Sequence, residues 1–306
     1  MKPSVVLKKL HDYLTDKDYR VVFNAHRGFY NKMEDKEYIK LMYQAIMHKE
    51  LNLEEPQTFT EKLQWLKLYD HKAVHTIMAD KLHMRDFVKE KLGEGHTVPL
   101  IGVYKKWEDI DFAKLPNSFV IKTTHDSGSY VICKDKSKLD KAKAKKKINT
   151  SLKHNYYKNF REWQYKAIKP QIIIEEFLDD GQSNLTDYKF FCFNGKCEFL
   201  YIMQETSSEP TQVLLDTKFN RLPFSMDDEP SKQMPQKPTQ FEQMLEFTER
   251  LSKDEAFLRV DMYLVNGRIY VGELTFYHLG GYIPIDPPEW DLKLGQLLTL
   301  PKQEVN

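Results

Sequence analysis

Cysteine is scarce in this chain of 306 residues: Cys133, Cys192 and Cys197 are the only three, and no two are spaced as C-x-x-C. An odd number without a motif argues against a disulfide framework or a zinc site and suits a reducing cytosol. Charge excess is also missing, with 46 Lys and Arg against 45 Asp and Glu, a net charge of +1. A dedicated nucleic-acid binder would show a strong basic excess, so no nucleic-acid partner is expected. No apolar h-region follows the opening MKPSVVLKKL, and no run approaches the ~20 apolar residues that a membrane-spanning helix needs. A cytoplasmic, soluble protein without a transmembrane segment is therefore expected, with peripheral membrane association left open. Internal repeats and low-complexity segments are absent as well. What remains is a globular composition, 41% hydrophobic and 13% aromatic, long enough for one large domain or two moderate ones.

The chain reads helical to about residue 95. EDKEYIKLMYQAIMHKEL repeats apolar residues at helical spacing, and TFTEKLQWLKLYD begins with Thr58 and Glu61 placed as a capping box. A third helix is expected over about 74–91, including ADKLHMRDFV. The pattern then changes. TVPLIGVY, SFVIKTT and SYVIC read as strands, the last two as a hairpin. A lysine-rich helix follows in SKLDKAKAKKKINTSLKHNYY, whose charge run reads as a solvated face. PQIIIEEFL is a continuous apolar strand, and DYKFFCFNGKCEFLYIMQE is a hairpin turned by Asn194-Gly195. Residues 207–238 hold five prolines and read mostly as loop, after which Thr239 and Glu242 open another capped helix. Mixed strands and helices with hairpins give an α+β fold rather than a doubly wound parallel sheet.

RVDMYLVNGRIYVGELTF, residues 259–276, is a hairpin candidate that puts Asp261 and Glu273 among apolar residues. Two registers compete. A two-residue turn at Asn266-Gly267 pairs 265 with 268 and leaves the two carboxylates facing opposite sides. It would also bury Glu273 among Val260, Met262 and Ile269, at a cost of several kcal/mol. A three-residue loop with Gly267 as bulge residue shifts the pairing by one. Arg259, Asp261, Tyr263, Val271, Glu273 and Thr275 then share a face, with Glu273 across from Arg259 and ~7–8 Å diagonally from Asp261. The bulged register is the expectation. Two carboxylates so close repel unless a cation lies between them, and a hard divalent ion such as Mg²⁺, commonly accompanied by phosphate, fits. The plainer reading is a surface Arg259–Glu273 pair with Asp261 solvated, and the hairpin alone favours it.

Other segments bear on that choice. SFVIKTTHDSGSYVIC places Lys122 at a strand end before a short loop with Ser127, Gly128 and Ser129. A lysine and successive loop N–H groups suit phosphate oxygens, although no GxxxxGK[ST] motif is present. IIIEEFLDDGQSNLTDYKF runs an apolar strand into a glutamate pair, whose edge can meet a flat base, with Asp187 further on.

This set, in this order, resembles the ATP-grasp superfamily, and its TupA-type branch (teichuronopeptide biosynthesis-like) more closely still. The similar blocks are LNLEEPQTFTEKLQWLKLYD, ADK, LPNSFVIKTTHDSG, DYKFFCFNGK, RVDMY and GELTFYHLGGY, spread over residues 50–295. The resemblance implies an ATP-grasp fold, two α+β subdomains clamping ATP, with a helical N-terminal region. On this chain that gives 1–95 as the helical region, 96–178 as the first subdomain with the phosphate loop, and 179–306 as the second with the metal hairpin. It implies that Lys81 and Lys122 contact ATP phosphates, that His125, Ser127, Gly128 and Ser129 belong to the closing loop, and that Glu175 and the Glu176-Phe177-Leu178 backbone hold adenine. Asp187 would take ribose, Asp261, Glu273 and Thr275 would bind Mg²⁺, and Arg259 and Lys189 would act on the transferred phosphoryl group. Many relatives carry asparagine where this chain has Thr275, and their loops are richer in glycine. His278, Gly280 and Gly281 are weaker substrate candidates, and a lone histidine beside a glycine pair is more often structural.

The function so implied is an ATP- and Mg²⁺-dependent carboxylate–amine ligase working through an acylphosphate. Its partners would be a carboxylate-bearing sugar or polysaccharide precursor and an amine or amino acid, in bacterial surface polysaccharide biosynthesis. Two alternatives stand beside it: a metal-dependent glycosyltransferase using a nucleotide sugar, and a nucleotide-binding protein without turnover. Two separated phosphate lysines suit a triphosphate better than a nucleotide sugar.

Overall fold

Capping fixes the first helices in a computed structural model that describes residues 11–181, 185–205, 210–226 and 229–302. Asp16 accepts from the backbone N–H of Asp18 and Tyr19 at 2.8 and 3.0 Å and starts the helix Lys17–His26. Thr58 and Glu61 form the expected capping box at the start of Phe59–Tyr69. With Asp35–Met47 and the late helix Glu289–Leu297, these make one compact unit of residues 1–71, 157–163 and 277–306. Its core includes Tyr38, Ile39, Met42, Tyr43, Phe59 and Leu63. The helices at 59 and 289 are stitched by Asp291, which accepts from the Thr60 N–H at 2.9 Å and its hydroxyl at 2.7 Å.

The second unit comprises residues 72–156 and 164–276 and holds two antiparallel-dominated sheets. β1 (Leu100–Tyr104), β2 (Phe119–Thr123), β3 (Tyr130–Cys133) and β4 (Ile172–Glu176) form the first, ordered β1-β4-β2-β3. Phe119, Ile121, Ile172 and Ile174 pack with Ala144 and Ile148 of the helix Lys141–Leu152. β5 (Asp187–Phe193), β6 (Lys196–Glu205), β7 (Pro210–Asp216), a two-residue β8 (Ser225–Met226), β9 (Glu229–Pro230), β10 (Phe257–Val265) and β11 (Arg268–Thr275) follow. All but β8 build the second sheet, ordered β11-β10-β5-β6-β7-β9, and the helix Phe241–Ser252 packs against it.

Four expectations change here. The helix expected over 74–91 is two helices, Ala73–Ala79 and Met84–Leu92. The side chain of Asp80 breaks it, accepting from the Leu82 N–H at 2.9 Å and bonding the His83 ring at 2.8 Å, the local competition that aspartate offers a helix. The proline-rich stretch contains a full strand, β7, because Pro210 sits at the strand's first residue, where a missing N–H is tolerated. Thr239 and Glu242 do not cap the helix at 241. Glu242 is engaged by Lys237 at 3.0 Å, and Gln240 occupies the cap position without a side-chain bond to the helix, its Oε1 accepting from the Thr239 hydroxyl at 2.6 Å instead. The division of the chain also differs from 1–95, 96–178 and 179–306: residues 72–95 go with the sheets, and 157–163 and 277–306 go with the N-terminal helices.

Candidate active site

The hairpin of β10 and β11 closes through a two-residue turn, with Asn266 and Gly267 at φ 50° and 76°, which pairs Val265 with Arg268. The three-residue bulged turn does not form, because Asn-Gly supplies both left-handed residues of a turn matched to strand twist. The shift occurs further along. Met262 pairs with Val271, the next pair is Asp261 with Glu273, and Gly272 is the extra residue between them. A Cβ on Gly272 would lie 2.6 Å from the Tyr263 ring, so only glycine leaves that ring its place. Asp261 and Glu273 therefore do share a face, but directly opposite each other, with Arg259 opposite Thr275. Val271 turns to the Met262 face instead of joining the carboxylates.

Asp261 is the hub of this face. It accepts from Arg259 Nε at 2.7 Å, Arg259 Nη2 at 2.8 Å and Lys189 Nζ at 2.9 Å. The register explains this, since β5 sets Lys189 beside Asp261 and Asp187 beside Tyr263. Burial opposes the Asp261 charge, but Arg259 and then Lys189 overcome it and hold the carboxyl at about 2. Asp187, paired with Lys189, is pushed up by burial, against the pull of Lys189 and with help from Asp261. Glu273 is held loosely, 3.8 Å from Arg259 Nη2 and 3.9 Å from Lys81 Nζ.

These residues fit a hard divalent cation by their donor chemistry. Every candidate ligand atom is oxygen. Asp187 Oδ1 and Thr275 Oγ1 are buried without a hydrogen-bond partner among the described residues. Asp261 offers about four acceptor sites, of which its bonds among the described residues occupy three.

Lys81 lies in the turn between the helices ending at Ala79 and starting at Met84, not in a helix. Its N–H donates to the Thr124 carbonyl at 3.1 Å and its ammonium to the Asp126 carbonyl, so both its ends are tied to the foot of the next loop. Lys122, on β2, lies 2.7 Å from Glu175 Oε2, at an angle outside hydrogen-bond geometry. Glu175 Oε1 takes Arg85 Nη1 at 3.2 Å, and that arginine also donates to the Val98 carbonyl. The Glu175 carboxylate thus already holds two cations. Arg85 escapes the sequence reading, and its only signal is its place four residues after Lys81.

The loop 125–129 is half anchor. His125 is buried, and its Nε2 donates to the carbonyls of Ser151 and His154 at 3.1 Å each. Asp126 accepts from the hydroxyls of Thr123 at 2.6 Å and Ser151 at 2.5 Å. Ser127, Gly128 and Ser129 form the open half. Gly128 has φ +85° and nothing within 4 Å of where a Cβ would stand.

A cavity of about 1070 Å³ joins these elements. It is lined by Lys81, Lys122, Ser127 to Ser129, Glu175 to Leu178, Asp187, Lys189, Arg259, Asp261 and Glu273. Tyr263, expected on the carboxylate face, lines it as well. Lys134 and the segment 235–240 also line it, unforeseen from sequence; an irregular loop segment carries no period to read. His125 and Thr275 are not brought to its wall. His278, Gly280 and Gly281 lie in the first unit, in a buried turn. The Gly280 carbonyl accepts from Lys67 at 2.8 Å and the Gly281 carbonyl from Gln64 at 2.8 Å. A Cβ would meet Phe160 at 2.8 Å and Gln64 at 2.6 Å, so these glycines serve packing and not the approach of an anion.

A family model described as TupA-like ATPgrasp matches residues 61–299. Comparison with curated proteins gives no match. Among solved structures the chain is similar to the D-alanine–D-alanine ligase of Bacillus anthracis complexed with ATP, at 17% identity and TM-score 0.39, over 65% of this chain and 54% of that one. It is similar to the Helicobacter pylori D-alanine–D-alanine ligase at 14% identity and TM-score 0.43, over 79% and 67%. It also resembles an ADP complex of N5-carboxyaminoimidazole ribonucleotide synthetase at 13% identity and TM-score 0.42, over 77% and 57%. The chain spans little more than half the length of the first of these. Likeness of fold at this level does not assign an activity.

Proposed function

The chain belongs to the TupA-like ATP-grasp family, and from that premise we propose that it is an ATP- and Mg²⁺-dependent carboxylate–amine ligase. We further infer that it joins an amine or amino acid to a uronic-acid carboxylate in bacterial surface polysaccharide biosynthesis. One observation carries the reading: two lysines, an open Ser-Gly-Ser loop and a facing Asp–Glu pair line a single cavity.

A carboxylate is a poor acyl donor because oxide would have to leave. The substrate carboxylate attacks the γ-phosphorus of ATP, the bond to the β-phosphate oxygen breaks, and an acylphosphate and ADP result. The amine then attacks the acyl carbon, phosphate leaves, and the amine loses a proton. Lys81 and Lys122 would supply point charges for the phosphate oxygens, and Arg259 and Lys189, which line the same cavity, would neutralise charge on the moving phosphoryl group. Asp261 keeps those two cations in place through its three bonds. Asp261 and Glu273, with Asp187 as a further oxygen donor on the same cavity wall, would hold Mg²⁺, which when bound offsets phosphate charge. The Ser127–Ser129 segment is placed to shield the acylphosphate from water. The near-complete neutralisation of Asp261 by its own neighbours favours a second reading, a nucleotide-binding protein without turnover.

Hydroxylamine decides between them. With ATP, Mg²⁺ and a glucuronate or galacturonate donor, a ligase releases ADP and yields a hydroxamate in step with phosphate. ATP binding with no ADP or hydroxamate across a panel of carboxylates supports the second reading, and stabilisation by a UDP-sugar alone points to the glycosyltransferase.

A further inference from the structure

Between residues 134 and 153 the chain holds nine lysines, two aspartates and no arginine, in a protein whose net charge is +1. Five of them lie on the helix Lys141–Leu152, whose Ala144, Ile148 and Ser151 are buried. The charge is placed against the interest of the helix itself. Lys141 and Lys143 fall in the first turn, where the helix dipole disfavours cations, and the acidic charge beside them is that of the cap residue Asp140, which accepts from the Lys143 N–H at 2.9 Å. Lys141 with Lys145, and Lys143 with Lys147, are like charges four residues apart, which repel on a helix surface. A local rule broken without structural return is expected where function sets the residue. Neighbours absorb part of the charge, as Glu108 does for Lys145 at 2.8 Å. Lys143 and Lys146 are exposed and make no ion pair among the described residues.

The lysines lead to the cavity. Lys147 Nζ donates to the Tyr130 carbonyl at 2.7 Å and lies 4.8 Å from the centre of that ring. β3 is the edge strand of its sheet, and Tyr130, Ile132 and Lys134 line the cavity. Tyr130 and Ile132 are 49% and 50% exposed, so this wall is also a lip. A row of cations therefore runs from Lys134 at the lip, past Lys147, to Lys143 and Lys146 on the helix flank.

We propose that this row is a docking track for an acidic polysaccharide, with carboxylates of successive sugars along the lysines and the reacting unit inside the cavity. It rests on the ligase reading above and narrows the acceptor from any carboxylate-bearing sugar to a polymer. Three observations select that occupant. The exposed helix face offers lysine, alanine and threonine, without the large apolar side chains by which a helix lies in a membrane. It has no arginine, the side chain that nucleic-acid surfaces use for forked phosphate contacts and stacking. Lys143 and Lys146 stand outside the cavity lining, where a small acceptor would never meet them.

The test titrates wild type and a Lys143→Gln/Lys146→Gln/Lys147→Gln variant with polygalacturonate, neutral dextran, duplex DNA and phosphatidylglycerol vesicles, at low and moderate salt. Melting temperature and its shift with ATP and Mg²⁺ are read in parallel. Wild type should bind polygalacturonate and not dextran, more weakly as salt rises. The variant should bind it roughly tenfold more weakly or worse, melt no lower, and keep its ATP shift. Absent polygalacturonate binding, binding undiminished in the variant, or preference for DNA or vesicles would each overturn the track. Failure of ATP and Mg²⁺ to stabilise either protein would count against the ligase reading alone, since polymer binding is scored without nucleotide.

Discussion

Lys67 and Lys189 are both buried lysines, one in each unit, and they are held in opposite ways. Lys67 gives its protons to backbone carbonyls, those of Phe160 and Gly280 at 2.9 and 2.8 Å, and lies 4.4 Å from the centre of the Tyr282 ring. Lys189 gives its protons to carboxylates, those of Asp187 and Asp261. Carbonyl dipoles satisfy the hydrogen bonds but do not balance the charge. Burial therefore brings Lys67 down to about 7, only partly opposed by Glu162. At Lys189 burial is outweighed by Asp261, and the pKa goes up. The first lysine pins three distant chain stretches together. The second is kept charged, as the proposed phosphoryl transfer requires. Burial of a lysine is thus no sign of function until its partners are named.

The comparison breaks hardest at Asp261. Asp261→Ala leaves Arg259 and Lys189 buried without their shared counter-ion, and a loss of about 3–5 kcal/mol in denaturant unfolding is expected. Lys67→Met takes the Lys67 donor from the Phe160 carbonyl and leaves that of Gly280 with only the long Gln64 bond at 3.5 Å, but buries an apolar chain, so about 1–3 kcal/mol is expected from the same measurement. A loss at Lys67→Met equal to that at Asp261→Ala would show that the two sites do not differ as described.

pH sharpens the contrast. Folded Lys67 titrates at about 7 and the unfolded chain at the ordinary 10.5, so between these values the unfolded state binds more protons. Stability should therefore rise with pH through that window, and this part of the rise should vanish in Lys67→Met. Unfolding free energies at pH 7, 8.5 and 10 for both proteins test it; parallel curves would contradict it. Gly272→Ala comes next, at about 1–3 kcal/mol, because its methyl must displace the Tyr263 ring. Glu273→Gln comes last. With no ion-pair contact nearer than 3.8 Å among the described residues, it should change stability by no more than about 0.5 kcal/mol.

Local signals were the legible part of this fold. The Thr58–Glu61 box, the Asn194-Gly195 and Asn266-Gly267 turns and the Ile172–Glu176 strand each depend on neighbours in sequence, and each is present. The shared face of Asp261 and Glu273 was legible from the cost of burying a carboxylate, yet the slip was sought at the turn, whereas it falls at Gly272. Nothing local distinguishes the two, since the space glycine gives there is taken by Tyr263 from the facing strand. His125 looked like a loop residue open to nucleotide, but its partners are carbonyls 26 and 29 residues on. Gly280 and Gly281 read as substrate candidates for the same reason: the Lys67 and Gln64 donors that occupy their carbonyls come from more than 200 residues earlier.

The most direct test of the central claim, that the face of Asp261 and Glu273 serves nucleotide and metal rather than structure, is the thermal shift of wild type and Glu273→Gln with ATP, with and without Mg²⁺. The account predicts equal melting temperatures without ligand, a Mg²⁺-dependent rise with ATP in wild type, and loss of that rise in Glu273→Gln. An ATP shift indifferent to Mg²⁺, or retained in full by Glu273→Gln, would contradict it.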